Sequence, residues 1–242
     1  MNLKEISEKI SYIFFPKRCK YCGRVIVPKD DLCEDCKIAL PIINEPVCRY
    51  CGCSKEDCSC NKKKNYYSEI VAPFYYEGAI KSAVNRMKFK SNALICKTMA
   101  DDMYKVFLRE YKDIAFDFIC FVPFSPSNIK SREFNQSEVI AKYLSEKTGI
   151  GVTDALCCLF DIKSQHFLKG DGRKGNVVGA YGIKQNISVE GKTVLLVDDI
   201  KTTGSTLDEC AKMLRIYGAE KVCAITFAIT KMHGKTNIDS LD

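Results

Sequence analysis

The residues whose types and spacing could do chemistry gather in two places, and the first is "VLLVDDIKTTGST" at 194–206. Four apolar residues, Val194 to Val197, run into Asp198 and Asp199, and then into Lys201, Thr202, Thr203, Gly204, Ser205 and Thr206. A carboxylate is a poor neighbour for a phosphate but a good acceptor for sugar hydroxyls. Small residues opening a helix leave backbone N–H groups free and let an anion approach them. Two carboxylates followed by such a cradle fit a ribose 5-phosphate, with the diol on the aspartates and the phosphate on the 202–206 loop. A strand-to-helix turn with good capping residues accounts for the second half but leaves the adjacent carboxylates without a purpose. The stretch is not a Walker loop, since the chain has no G-x-x-x-x-G-K.

The second place is a cysteine cluster. The chain has 15 cysteines, and nine of them fall between Cys19 and Cys60. A Cys-x-x-Cys turn sets two thiolates at adjacent corners of a tetrahedron, and two such turns complete a structural zinc site. "CKYCG" and "CEDC" assign the first site to Cys19, Cys22, Cys33 and Cys36. "CRYCGC" and "CSC" assign the second to Cys48, Cys51, Cys58 and Cys60, with Cys53 as an alternate ligand. Few apolar residues lie between Cys19 and Lys64, so this segment needs metal to fold, and zinc supplies about 10–16 kcal/mol at such sites. Lys17, Arg18, Lys20, Arg24 and Arg49 stand ready to offset the negative charge of the filled sites. Tyr21 and Tyr50 sit beside Lys20 and Arg49, an interleaving that could also stack and neutralise a single nucleic-acid strand. The other six cysteines lie among apolar neighbours and read as small buried hydrophobes.

The elements that must position the loop follow from the pattern after the polar linker "NKKKN" at 61–65, which divides the chain into a module at 1–64 and a larger domain at 65–242. Strands are expected at 69–76, 117–124, 192–199 and 220–230, and helices at 78–90, 92–112, 135–149 and 205–219. The strands are nearly continuous apolar runs, as in sheets buried on both faces. Alternation with helices gives an α/β fold: a parallel sheet with helices on both faces. Such sheets bind ligands beyond the carboxyl ends of their strands, where Asp198 and Asp199 stand. A formal net charge of +7 suits an anionic ligand or nucleic acid without demanding either. No apolar run reaches membrane-spanning length and no secretory leader is evident, so the chain is expected in the cytoplasm, away from the membrane.

With these residues in place, "VLLVDDIKTTGST" resembles the phosphoribosyl pyrophosphate (PRPP) loop of type I phosphoribosyltransferases. Together with the cysteine module, "SREFNQSEVIA" (131–141) and "QHFLKGDGRKGNVVGAY" (165–181), it resembles the ComF family. That resemblance implies an N-terminal zinc ribbon, a type I phosphoribosyltransferase domain and a link to natural competence and DNA uptake. It implies that Asp198 and Asp199 hold ribose hydroxyls, that residues 201–206 hold the 5-phosphate, and that Mg²⁺ comes with PRPP. The pyrophosphate end needs cations, for which Arg132 and Lys88 are the candidates, with Lys90 and Arg173 behind them. Lys88 and Lys90 could equally be a solvated helix end, Arg173 a cap, and Asn135 and Gln136 caps of the helix that follows. One departure is Glu133, where the family usually has glycine, which sets a negative charge beside Arg132. His166 and His233 receive no role. Three functions are compatible: phosphoribosyl transfer to an unidentified acceptor, single-stranded DNA binding with PRPP as a regulatory ligand, and docking of a competence partner such as a helicase. Glutamine-dependent amidotransfer is not expected, because the sequence begins Met-Asn-Leu without a cysteine nucleophile.

Overall fold

The structure is a computed structural model and describes residues 14–60, 64–89, 93–125, 134–160 and 179–231. Leu3, Ile6, Ile10, Ile13 and Phe14 recur at helical spacing and imply a short amphipathic helix at the start of the module. Residues 1–13 of that stretch, together with Lys90, Arg132, Glu133, His166, Arg173 and His233, lie outside the described residues.

The chain forms α1 (Glu34–Ala39), β1 (Glu69–Val71), β2 (Phe74–Tyr75), α2 (Gly78–Phe89), α3 (Ala93–Glu110), β3 (Phe118–Phe121) and α4 (Gln136–Thr148). It continues through β4 (Leu156–Cys158), β5 (Tyr181–Ile183), β6 (Thr193–Lys201), α5 (Ser205–Ile216) and β7 (Lys221–Ile229). The main sheet is parallel, in the order β1-β7-β6-β3, with β2 pairing further along β7. The expected edge strand at 69–76 is therefore two pieces. Pro73, which has no N–H to donate, stands at the break, and its carbonyl accepts from Ile43 N of the cysteine module at 3.0 Å. Strand β6 runs on through the aspartates to Lys201, two residues beyond the expected end.

Alternating strand residues feed two cores, one on each face. Leu195 and Val197 of β6 pack with α2, α3 and α4 through Ile80, Met87, Met99, Ile140 and Leu144. Val194 and Leu196 pack with α5 through Leu207, Cys210, Ala211 and Leu214. The sequence expectation of helices on both faces is met. One pairing had no counterpart in the sequence reading: β4 and β5 form a separate antiparallel ribbon beside α5.

The cysteine module straddles the β1/β2 edge of this sheet. Cys19, Tyr21, Ile26, Cys33 and Cys36 belong to the first core, and Ile43, Val47, Cys51 and Cys53 belong to the second. Tyr75 N donates to Pro41 O at 2.8 Å, so the module also covers backbone groups that an open sheet edge would expose. Tyr21 cannot stack on a nucleic-acid strand. It is 2% exposed, packs edge-on against Phe74, and its hydroxyl donates to Asp102. Tyr50 stays exposed. The cations flanking the cysteines pair mostly with carboxylates: Lys17 with Asp31, Lys20 with Asp102, Arg24 with Asp35, and Arg49 with Glu69 and Glu110.

Candidate functional site

The site is built at the carboxyl end of β6 from three elements. Strand β6 presents Asp198 and Asp199, each 9% exposed. Helix α4 arrives from the first face. Its N-cap is Asn135, whose side-chain oxygen accepts from Ser137 N at 3.0 Å and Glu138 N at 3.4 Å, and whose amide donates to Val122 O at the end of β3. Capping thereby fixes the first turn of α4 against the sheet. That turn delivers Ser137, whose hydroxyl donates to Asp198 Oδ1 at 2.8 Å. The backbone N–H of Asp199 donates to the same oxygen at 2.9 Å.

Helix α2 supplies the cation. Lys88 Nζ lies 2.8 Å from Asp199 Oδ2, so its side chain reaches the aspartate pair rather than open solvent. Burial, and then the neighbouring Asp199 carboxylate, push the Asp198 carboxyl up to about 7. The bonds from Ser137 and Asp199 N–H and the charge of Lys88 work against that rise. Asp198 thus gives up its proton only near neutral pH, and its ionised oxygens then accept hydrogen bonds from hydroxyls.

The loop that follows has the form of an anion cradle. Thr202 and Thr203 are exposed, and Gly204, Ser205 and Thr206 are half-buried. Gly204 adopts φ +82°, a left-handed conformation that favours glycine, and caps the N-terminus of the 12-residue α5. The hydroxyls of Thr203 and Ser205 lie 3.0 Å apart, and Ser205 N donates to Thr203 Oγ1 at 3.3 Å. Lys201 is placed differently from its neighbours: it is 3% exposed and its stem lies under Gly204. Of the residues the sequence singled out here, the structure brings together Lys88, Asp198, Asp199 and the 202–206 loop. Ser137 was not among them. Its only signal was its place in "FNQSEVIA", one residue past the cap pair.

Both cysteine quartets converge. The sulfurs of Cys19, Cys22, Cys33 and Cys36, and those of Cys48, Cys51, Cys58 and Cys60, lie within 4.8 Å of one another in each set. Sγ–Sγ separations are 3.5 Å (Cys22–Cys33), 3.7 Å (Cys48–Cys60), 3.6 Å (Cys51–Cys58) and 3.4 Å (Cys58–Cys60). Zn–S bonds of about 2.3 Å in a tetrahedron require sulfurs about 3.8 Å apart, so these sets fit zinc. Cys53, the alternate, is buried beside Cys51 and stands outside the quartet.

The sheet and the cysteine quartets agree with known proteins. Residues 98–242 match the phosphoribosyl transferase domain, and residues 10–64 match the double zinc ribbon domain. The chain belongs to the phosphoribosyl transferase domain family. A double zinc ribbon stands ahead of that domain, and its two cysteine quartets support structural zinc. It is 27% identical to competence protein F of Haemophilus influenzae over 86% of this chain and 95% of that one. It is 27% identical to competence protein ComFC of Streptococcus pneumoniae over 85% and 96%. It is 26% identical to the DNA utilization protein YhgH of Salmonella typhimurium over 84% and 86%. The resemblance to the ComF family holds over most of this phosphoribosyl transferase-family chain. Among its described residues, no helix is long and apolar enough to cross a membrane.

Proposed function

We propose that this protein binds PRPP together with Mg²⁺ at Asp198, Asp199 and the 202–206 loop, and that it acts in handling DNA during natural transformation. The observation that carries the first part is the pairing of two nearly buried aspartates with a left-handed glycine cap at the N-terminus of α5. The first half suits a ribose diol and the second a 5-phosphate. Support for the second part is the names of the relatives, which are competence and DNA utilization proteins. Mg²⁺ would be held through ribose and pyrophosphate oxygens and would offset phosphate charge. Lys88, which pairs with Asp199, is the cation assigned in this reading to the pyrophosphate end, with Arg132 as the second candidate.

Transfer of the ribosyl group to an acceptor would need positioning and charge stabilisation of an oxocarbenium-like state, not a nucleophilic triad. The test is calorimetry with PRPP and Mg²⁺. Wild type should bind, and the Asp198→Asn/Asp199→Asn double variant should lose at least about tenfold in affinity, or roughly 1.4 kcal/mol. Absence of binding to wild type would remove the reading. Pyrophosphate release across a panel of amines and bases tests catalysis separately.

A second reading is a non-catalytic protein that holds single-stranded DNA or a partner such as a competence helicase, with PRPP as regulatory ligand. The observation favouring it is an open groove lined by Tyr50, Lys64, Tyr66 and Arg215, with both tyrosine rings exposed. Oligonucleotide binding that weakens steeply with salt would support it.

A further inference from the structure

Lys201 has no place in ordinary loop chemistry. It is the last residue of β6 and is 3% exposed. A Cβ added at Gly204 would meet its Cε at 3.1 Å, so the lysine stem forms the floor of the loop. In register it pairs with Ile229 of β7, and its carbonyl accepts from Thr230 N at 2.9 Å. Ile229 is also the seat of the second zinc knuckle: a Cβ added at Gly52 would lie 2.3 Å from Ile229 Cδ1. Burial lowers the pKa of the Lys201 ammonium, and the sulfurs of Cys53, Cys51, Cys60 and Cys48 raise it. The charge therefore sits in the field of the second quartet, which with zinc bound carries a formal excess of about two negative charges.

Tyr67 fills the same gap from the other side. It is 3% exposed, its hydroxyl lies 3.5 Å from where a Gly204 Cβ would be, and burial, Asp208, Cys51 and Cys60 all raise its pKa. Asp208, in the first turn of α5, accepts from Tyr66 N at 2.6 Å. The second zinc module thus packs behind the loop through the Lys201–Ile229 register and through Tyr67, which shares one core with Ile229, Cys51 and Cys53.

We infer that Lys201 is a positioning residue that ties the second zinc site to the 202–206 loop, its buried ammonium offsetting the zinc–thiolate charge while its stem supports Gly204. The loop's role in holding a phosphate rests on the reading proposed above; the tie between loop and zinc does not. It makes zinc retention at the second site depend on loop geometry, and loop geometry depend on that zinc. By reciprocity, a ligand that orders the loop tightens zinc binding at the second site, and the expected sign of that tightening is slower zinc release.

The experiment uses full-length zinc-loaded protein and follows zinc release to a chromogenic chelator, with Cys58→Ser marking which phase belongs to the second site. Lys201→Met keeps the stem and removes the charge. It should release the second-site zinc about 10–100-fold faster, the range found when residues supporting metal ligands are removed. Gly204→Ala, which pushes on the Lys201 stem, should act in the same direction. Gly149→Ala imposes the same left-handed strain at the end of α4, where a Cβ meets nothing within 4 Å, and should release zinc at the wild-type rate. Should Lys201→Met fail to fold, the two glycine variants still decide the matter.

PRPP with Mg²⁺ should slow second-site release in wild type, and Lys201→Met should bind PRPP about tenfold more weakly. Release at the wild-type rate from both Lys201→Met and Gly204→Ala overturns the inference. So does weaker PRPP binding by Lys201→Met with unchanged zinc release, which would make the lysine a direct ligand contact. If wild type binds no PRPP, the PRPP reading falls, and the release rates of the variants still decide whether Lys201 joins loop and zinc.

Discussion

At the scale of single residues, Asp198 concentrates the conflict between stability and ligand chemistry. Its carboxyl is raised from 3.8 to about 7, first by burial and then by Asp199. A raised folded-state pKa in an acid means that the folded chain holds a proton which the unfolded chain releases. Stability from this group is therefore full below about pH 4 and falls as pH rises toward 7. Asp198→Asn cannot ionise, yet keeps an Oδ1 that can accept from Ser137 and from Asp199 N–H. The variant should be more stable than wild type at pH 8, by on the order of 2–4 kcal/mol. The difference should shrink as pH drops to about 4. Urea unfolding across that pH range checks it, and a variant less stable at pH 8 would refute the assignment of strain to this carboxyl. The same substitution should abolish the proposed diol contact, so stability and ligand affinity move in opposite directions.

At the scale of elements, the site depends on how α4 is started. Asn135 caps the helix and also ties it to Val122 at the end of β3. Asn135→Ala should cost about 1–2 kcal/mol, from the lost cap and the lost bond to the sheet. It should also weaken PRPP binding, because Ser137 reaches Asp198 from the turn that Asn135 fixes; Ser137→Ala should weaken binding with a smaller loss of stability. Denaturation and calorimetry on both variants separate the two effects. This arrangement was partly legible in the sequence. Apolar runs located β3, β6 and β7, because strands buried on both faces leave no ambiguity of pattern. The capping role of Asn135 and the stop at Gly149 were legible from local chemistry. Ser137 was not, because a serine one residue inside a helix carries no signal until the fold sets Asp198 beside it. Nor was the β4–β5 ribbon, whose strands of three residues each are too short to establish a period. The edge strand was read as continuous, although Pro73 stood within it as the sign of its break. The burial of Lys201 and Tyr21 was likewise invisible, since each sits in a polar motif and is covered only by residues distant in sequence.

At the scale of the whole molecule, the zinc module is part of the transferase-type domain's own packing. Its two sites grip opposite faces of one sheet, and the cations buried against it come from the larger domain. Arg86 of α2 donates to Lys20 O at 3.0 Å and Tyr21 O at 2.6 Å, and its guanidinium fills the space beside Gly23. Arg86 lies two residues before Lys88, so the first zinc site steadies the helix that reaches Asp199, as the second backs the loop. Stripping zinc should therefore destabilise the whole chain in one transition instead of melting residues 14–60 alone. Zinc at such sites supplies about 10–16 kcal/mol, more than the stability of most domains, so Cys36→Ser should unfold both parts together. Tyr21→Phe isolates docking from metal binding. It removes the hydroxyl that donates to buried Asp102 and leaves all eight ligand sulfurs in place. Asp102 keeps Lys105 at 2.8 Å and Lys20 at 3.6 Å, so the expected cost is about 1–3 kcal/mol. The variant should retain two zinc ions per chain and show a lower midpoint in a single transition when followed by both far-ultraviolet circular dichroism and zinc release. Two separate transitions, or an unchanged midpoint, would mean that the ribbon and the sheet fold independently, and the zinc sites would then have no route to the aspartate pair.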